Sequence, residues 1–131
     1  MKITDGKRKA HLKLGRFGEE TAVKLLRRKG YFILARNFRL KSGELDITAL
    51  DGNTIVFVEV KTKREVPGFT PAVNLSLRQL RRNRTTGRFY LALEGIPDAR
   101  HRFDLVEVTV SRRNSGKIIG LAHTCDILPK I

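Results

Sequence analysis

Two short segments of this sequence carry residue types whose spacing can do chemistry. The first is Gly43-Glu44-Leu45-Asp46, and the second is Val56-Phe57-Val58-Glu59-Val60-Lys61. Between them stands Asp51-Gly52-Asn53-Thr54, a strong hairpin signal. Side chains alternate along a strand, so Glu59 and Lys61 share a face with Phe57 and leave the other face to Val56, Val58 and Val60. On the earlier strand Asp46 shares a face with Glu44 and Thr48. With Gly52-Asn53 as a two-residue loop, Asp51 faces Thr54, Asp46 faces Glu59 and Glu44 faces Lys61. Directly opposed Cβ atoms lie about 4.5–5.5 Å apart. Two carboxylates that close repel unless a cation or a proton lies between them. Hard oxygen ligands without neighbouring Cys or His favour Mg²⁺ or Mn²⁺ over zinc. A loop longer by one residue flips the register and removes the inference.

The competing reading makes Asp46 and Glu59 solvated residues on an exposed sheet face, with Lys61 as a cross-strand partner of Glu44. Against it stand Val56, Phe57, Val58 and Val60, which mark a central, largely buried strand. A carboxylate inside such a strand is costly without a partner. A further carboxylate, Glu19, precedes Ala22, Val23 and Leu26 at helical spacing and so lies on an apolar stripe. It serves either the same site or the positive end of the helix dipole. Its neighbour Glu20 has Lys24 four residues on, an ordinary surface ion pair.

These residues need elements to position them. The spacing predicts a basic arm over 1–12 and a single domain over 13–131. A helix is expected over 14–29, closed by Gly30, with strands over 31–38, 44–50 and 55–63. Thr70-Pro71 reads as the start of a second helix, with Thr70 as N-cap and Val73, Leu77 and Leu80 as its apolar face, reaching to about residue 85. Strands are expected over 88–93 and 103–110, and 118–122 is a candidate for one more strand outside the core order. The order α-β-β-β-α-β-β describes one α/β or α+β domain with a mixed sheet flanked by helices.

Composition narrows the partners. The 131 residues carry 27 Lys and Arg against 13 Asp and Glu, a formal net charge of +14. That length suits one ordinary domain. The excess charge calls for a polyanion, most plausibly nucleic acid. Arg78, Arg81 and Arg82, together with Lys63 and Arg64, are the candidate phosphate contacts. Further basic residues lie over 7–9, 36–41 and 112–117. No apolar stretch is long enough for a membrane helix, and the basic N-terminus leads into no apolar signal core, so the expectation is a cytoplasmic protein. A lone Cys125 excludes a disulfide framework and a cysteine-rich zinc site. His11, His101 and His123 are scattered and read as surface or satisfied histidines. Asp104, in Arg102-Phe103-Asp104, reads first as a partner for a nearby arginine and second as a peripheral site residue. No P-loop and no Ser/His/Asp constellation is present.

Asp46 followed by Glu59-Val60-Lys61 on the next strand resembles the PD-(D/E)XK nuclease superfamily. A closer resemblance is to the YraN-like family of small bacterial proteins. It is carried by Gly15-Arg16-Phe17-Gly18-Glu19-Glu20-Thr21-Ala22, Gly30-Tyr31, Ala35-Arg36-Asn37-Phe38-Arg39, Gly43-Glu44-Leu45-Asp46, Val56-Phe57-Val58-Glu59-Val60-Lys61-Thr62-Lys63 and Arg102-Phe103-Asp104. The resemblance implies a restriction-endonuclease-like core and a metal-dependent endonuclease acting on DNA, at superfamily level on branched DNA. It implies Glu19, Asp46 and Glu59 as acidic site residues, Lys61 as the catalytic lysine, and Asp46, Glu59, Glu19 and the Val60 carbonyl as metal ligands. The sequence departs from the pattern at Leu45, where the superfamily has proline, and in the second helix, where a family lysine gives way to arginines, with Arg78 as the nearest equivalent. The alternative is a catalytically silent module binding DNA or ribosomal RNA; and since nucleases making paired cuts often dimerise, a homodimer is a candidate assembly.

Overall fold

A computed structural model describes residues 5–68, 75–114 and 116–128. Two helices and five strands follow one another as α1 (Asp5–Arg28), β1 (Phe32–Leu40), β2 (Gly43–Asp51), β3 (Thr54–Arg64), α2 (Leu77–Leu93), β4 (His101–Val110) and β5 (Ile118–Thr124). The strands lie in sequence order in one sheet. All neighbours are antiparallel except β3 and β4, which run parallel with α2 as their crossover. This is the expected mixed α/β order.

The details differ from the sequence expectation at both helices. Helix α1 begins at Asp5, inside the stretch expected to be an arm. Lysine, arginine and alanine over 7–13 are good helix formers, and no proline interrupts them. The start expected at Thr70-Pro71 lies outside the described residues; the described α2 begins at Leu77 behind Ser76, whose side chain accepts from the Gln79 N–H. The strand expected over 88–93 is the second half of α2. Its apolar face is also different: Leu77 is exposed, and the helix buries Asn83, Thr86, Gly87, Tyr90 and Leu91. That set has helical spacing, but two polar residues and a glycine conceal it from a hydrophobicity count.

The sheet separates two cores. On the α1 side Ala22, Val23 and Leu26 pack on Ile47, Val56, Val58, Val106 and Val108. On the α2 side Tyr90 and Leu91 pack on Leu45, Ile55, Phe57 and Phe103. Each helix approaches the sheet through a glycine. A Cβ on Gly18 would overlap Thr62 Oγ1 and come within 2.8 Å of Thr62 Cβ; one on Gly87 would lie 2.8 Å from Phe103 Cζ. Both contacts are closer than side chains tolerate. Gly18 thus seats α1 on β3 one residue before Glu19, and Gly87 seats α2 one turn beyond Asn83.

Candidate functional site

The hairpin has the register that a two-residue loop dictates. Asp51 pairs with Thr54, and pairing continues through Thr48 with Phe57 to Ile47 with Val58. There the ladder stops. The next residues, Asp46 and Glu59, stand at the point where β2 and β3 part. The Val60 N–H, instead of serving the ladder, donates to Asp46 Oδ2 at 2.8 Å.

A change of face accompanies this. Regular alternation would put Leu45 and Ile47 on one side of the sheet. Instead Ile47 belongs to the α1-side core and Leu45 to the α2-side core. The neighbouring strand changes at the same level, where Arg36 pairs with Ile47 and Phe38 with Leu45. Between them Asn37 adopts a φ of 54°, a left-handed conformation unusual inside a strand. The irregularity places Asp46 where carboxylates from both sides of the sheet converge.

From the α2 side comes Glu59. Gln79 Nε2 donates to its Oε1 at 2.9 Å, and Asn83 Nδ2 to its Oε2 at 3.4 Å. The Lys61 ammonium lies 3.4 Å from the same Oε1. From the α1 side comes Glu19. With its amide nitrogen turned toward the carboxylates, Asn37 donates to Glu19 Oε1 and to Glu44 Oε1, both at 3.2 Å. Arg39 holds the other oxygen of Glu44 at 3.0 Å. The cross-strand pair between Glu44 and Lys61 is therefore replaced by Arg39–Glu44 and Lys61–Glu59. Glu20 pairs with Arg36 at 2.7 Å, joining α1 to β1, in place of the Lys24 contact expected from spacing.

Asp46 and Glu59 open into one cavity of about 580 Å³, shared with Gly43, Glu44, Gln79 and Asn83 and rimmed by Arg78 and Arg82. The two residues thus border the same cavity. Burial first, and the Glu59 charge second, push the Asp46 carboxyl up to about 7; Glu19 and Glu44 add to the rise, and the Val60 N–H opposes it. Burial also raises the Glu59 carboxyl, with Lys61 and Asn83 opposing it. A group of partly desolvated carboxylates that resist ionising together fits a hard divalent cation. Asp46 and Glu59 offer carboxylate oxygens for one, and the Val60 carbonyl follows Glu59 in the chain; Glu19 meets Asn37 and is not among the residues lining the cavity.

The basic residues divide. Arg78 and Arg82 reach the cavity rim, and Arg81 lines an adjoining hollow with Ser42 and Thr85. Lys63 and Arg64 continue β3 past Lys61 and do not line the cavity. Sequence reasoning singled out neither Asn37, Gln79 nor Asn83 as site residues. Asp104 lies elsewhere, fully buried and bound to Arg102 at 3.0 Å, as the arginine-partner reading anticipated.

The model of the Uncharacterised protein family UPF0102 matches residues 18–108, a span that holds every carboxylate of the site. The chain belongs to UPF0102, the YraN family. It is 43% identical over 101 residues to the UPF0102 protein of Caldicellulosiruptor saccharolyticus, covering 77% of this chain and 86% of the relative. A UPF0102 protein of Kineococcus radiotolerans is 39% identical over 106 residues, covering 80% and 87%. One from Clostridium botulinum is 38% identical over 109 residues, covering 82% and 89%. The UPF0102 match begins at Gly18, the residue that seats Glu19 against β3, and ends within β4. The part of α1 before Gly18, and all of β5, fall outside it.

Proposed function

We propose that this UPF0102 protein is a metal-dependent endonuclease of the PD-(D/E)XK type, hydrolysing phosphodiester bonds in DNA. The observation that carries the reading is a shared cavity: Asp46 from β2 and Glu59 from β3 line it together, with Lys61 against Glu59 and the Glu19 charge near enough to raise the Asp46 carboxyl. Asp46, Glu59, Glu19 and the Val60 carbonyl would hold Mg²⁺ or Mn²⁺. When bound, such an ion supplies Lewis-acid polarisation of a phosphoryl oxygen and lowers the pKa of its water. The Lys61 ammonium orients the attacking water or offsets negative charge developing on the phosphoryl group. Asp46, tied to the Val60 N–H, is held rigidly. Asn37 fixes Glu19 relative to Glu44. Arg78 and Arg82 at the rim, with Arg81 beside them, hold flanking phosphates by charge and are indifferent to base sequence.

A second reading, a catalytically silent nucleic-acid-binding module, draws on one observation. Both Glu59 oxygens already accept hydrogen bonds from α2, which a metal would have to displace at least in part. A cleavage panel of branched, single-stranded and duplex DNA with Mg²⁺ or Mn²⁺ separates the two. The nuclease reading expects cleavage that disappears in Asp46→Ala and Lys61→Ala. Absence of cleavage by the wild type on every substrate, together with no divalent ion bound in titration calorimetry, would reject it.

A further inference from the structure

A second cluster lies apart from the acidic cavity. Asp104 on β4 pairs in register with Val58, whose side chain belongs to the α1-side core. Parallel partners share a face, so Asp104 points to the α1 side, where it is fully buried. His123 on β5 places Nε2 2.8 Å from Asp104 Oδ2, with its side chain 3% exposed. Cys125, just past β5, brings Sγ to 3.7 Å from the same Nε2. One ligand atom from each of the three residues lies within 4.8 Å of the others. We propose that Asp104, His123 and Cys125 form a zinc site, with solvent in the fourth position.

The donor set argues for this metal. Zinc takes carboxylate oxygen and imidazole nitrogen at about 2.0–2.2 Å and thiolate sulfur at about 2.3 Å, usually in tetrahedral array. Tetrahedral ligands at those lengths stand roughly 3.3–3.8 Å from one another. The sulfur–nitrogen separation already falls in that range, and the oxygen–nitrogen separation needs to open by about half an ångström. A thiolate ligand disfavours Mg²⁺, so this site and the acidic cavity select different ions. Cys125 is exposed, which gives a metal an entry route.

The carboxylate is already oriented from behind. Arg102 Nε and the Asp126 N–H both donate to Asp104 Oδ1 at 3.0 Å, leaving Oδ2 toward His123; Arg102 Nη2 donates over a longer 3.3 Å to Oδ2. Such outer partners hold metal ligands in place. Asp126 has a φ of 57°, a strained turn that directs its N–H to Asp104 immediately after Cys125. One contact opposes binding. Lys29 Nζ lies 2.7 Å from His123 Nδ1, and an ammonium can only donate, so the ring proton sits on Nε2, facing Asp104. Zinc binding moves that ring hydrogen from Nε2 to Nδ1 and releases the Cys125 thiol proton to solvent, and the exposed Lys29 side chain swings away.

The test uses the full chain stripped of metal, titrated with Zn²⁺ in a calorimeter and followed in parallel by the reactivity of its one thiol. The expected result is one zinc per chain, with the thiol protected by Zn²⁺ and not by Mg²⁺. Cys125→Ser should lose at least about tenfold in zinc affinity with an unchanged circular dichroism spectrum, and His123→Asn should lose as much. Lys29→Met should bind zinc more tightly than the wild type, and Asp46→Asn should bind it as the wild type does. Cobalt should give a thiolate charge-transfer band that is missing in Cys125→Ser. Zinc affinity unchanged in Cys125→Ser, or a thiol equally reactive with and without zinc, overturns the proposal.

Discussion

At Asp46 burial and neighbouring carboxylates act together, and the consequence can be measured by pH. Its carboxyl stands at about 7 in the folded chain against an ordinary 3.8. Between those values the folded state holds a proton that the unfolded state has released. The stability that Asp46 contributes to the metal-free protein is therefore fullest below about pH 4 and is lost as pH rises through about 7, on the order of 4 kcal/mol. Asp46→Asn should flatten that dependence and unfold at higher urea than the wild type at pH 8. Saturating Mg²⁺ should stabilise the wild type there and leave the variant nearly unmoved. Asn37 gives a second expectation. Its left-handed φ is tolerated best by asparagine and glycine. Asn37→Gly should keep the fold's stability within about 1 kcal/mol, while Asn37→Ala should lose about 1–2 kcal/mol by denaturant melting. Both remove the amide between Glu19 and Glu44 and should weaken Mg²⁺ binding alike. The turn makes Asp46 and Glu59 legible in the sequence, because a two-residue loop fixes which residues meet. Asn37, Gln79 and Asn83 are not legible there. Uncharged amides leave no charge pattern, and their roles depend on a backbone kink and on a helix face visible only once the chain is folded.

The elements are legible to different degrees for the same kind of reason. Strands β2 and β3 announce themselves by Asp51-Gly52-Asn53-Thr54 and a run of β-branched residues. Helix α2 hides, because its buried face runs Asn83, Thr86, Gly87, Tyr90, Leu91, and the Phe89-Tyr90-Leu91 run imitates a strand. Its polar members, Asn83 and Thr86, meet Glu59 and Ser42, not oil. Helix α1 is held by Gly18 against Thr62. Gly18→Ala should destabilise the protein by about 1–3 kcal/mol through overpacking, and adding Thr62→Ala should restore part of the loss. Because Glu19 follows directly, Gly18→Ala should also weaken divalent-ion binding more than its effect on stability alone accounts for.

Across the whole molecule, a net charge of +14 surrounds a small acidic centre. On the proposed function, attraction of a polyanion and the chemistry done on it fall to different residues. Among the described residues no helix is long and apolar enough to cross a membrane. Binding to duplex DNA should weaken steeply with salt. Arg78→Ala, Arg81→Ala and Arg82→Ala should each make that salt slope shallower by about 0.9, the share of one neutralised phosphate. The Asp46→Ala variant should keep its affinity for DNA, since the arginines remain. The most direct measurement follows binding and cleavage together for wild type and Asp46→Ala, on branched and linear DNA with Mg²⁺ or Mn²⁺. The predicted result is that both proteins bind, the wild type cuts, and the variant does not. Cutting by Asp46→Ala at the wild-type rate, or no cutting by the wild type on any DNA it binds, would contradict it.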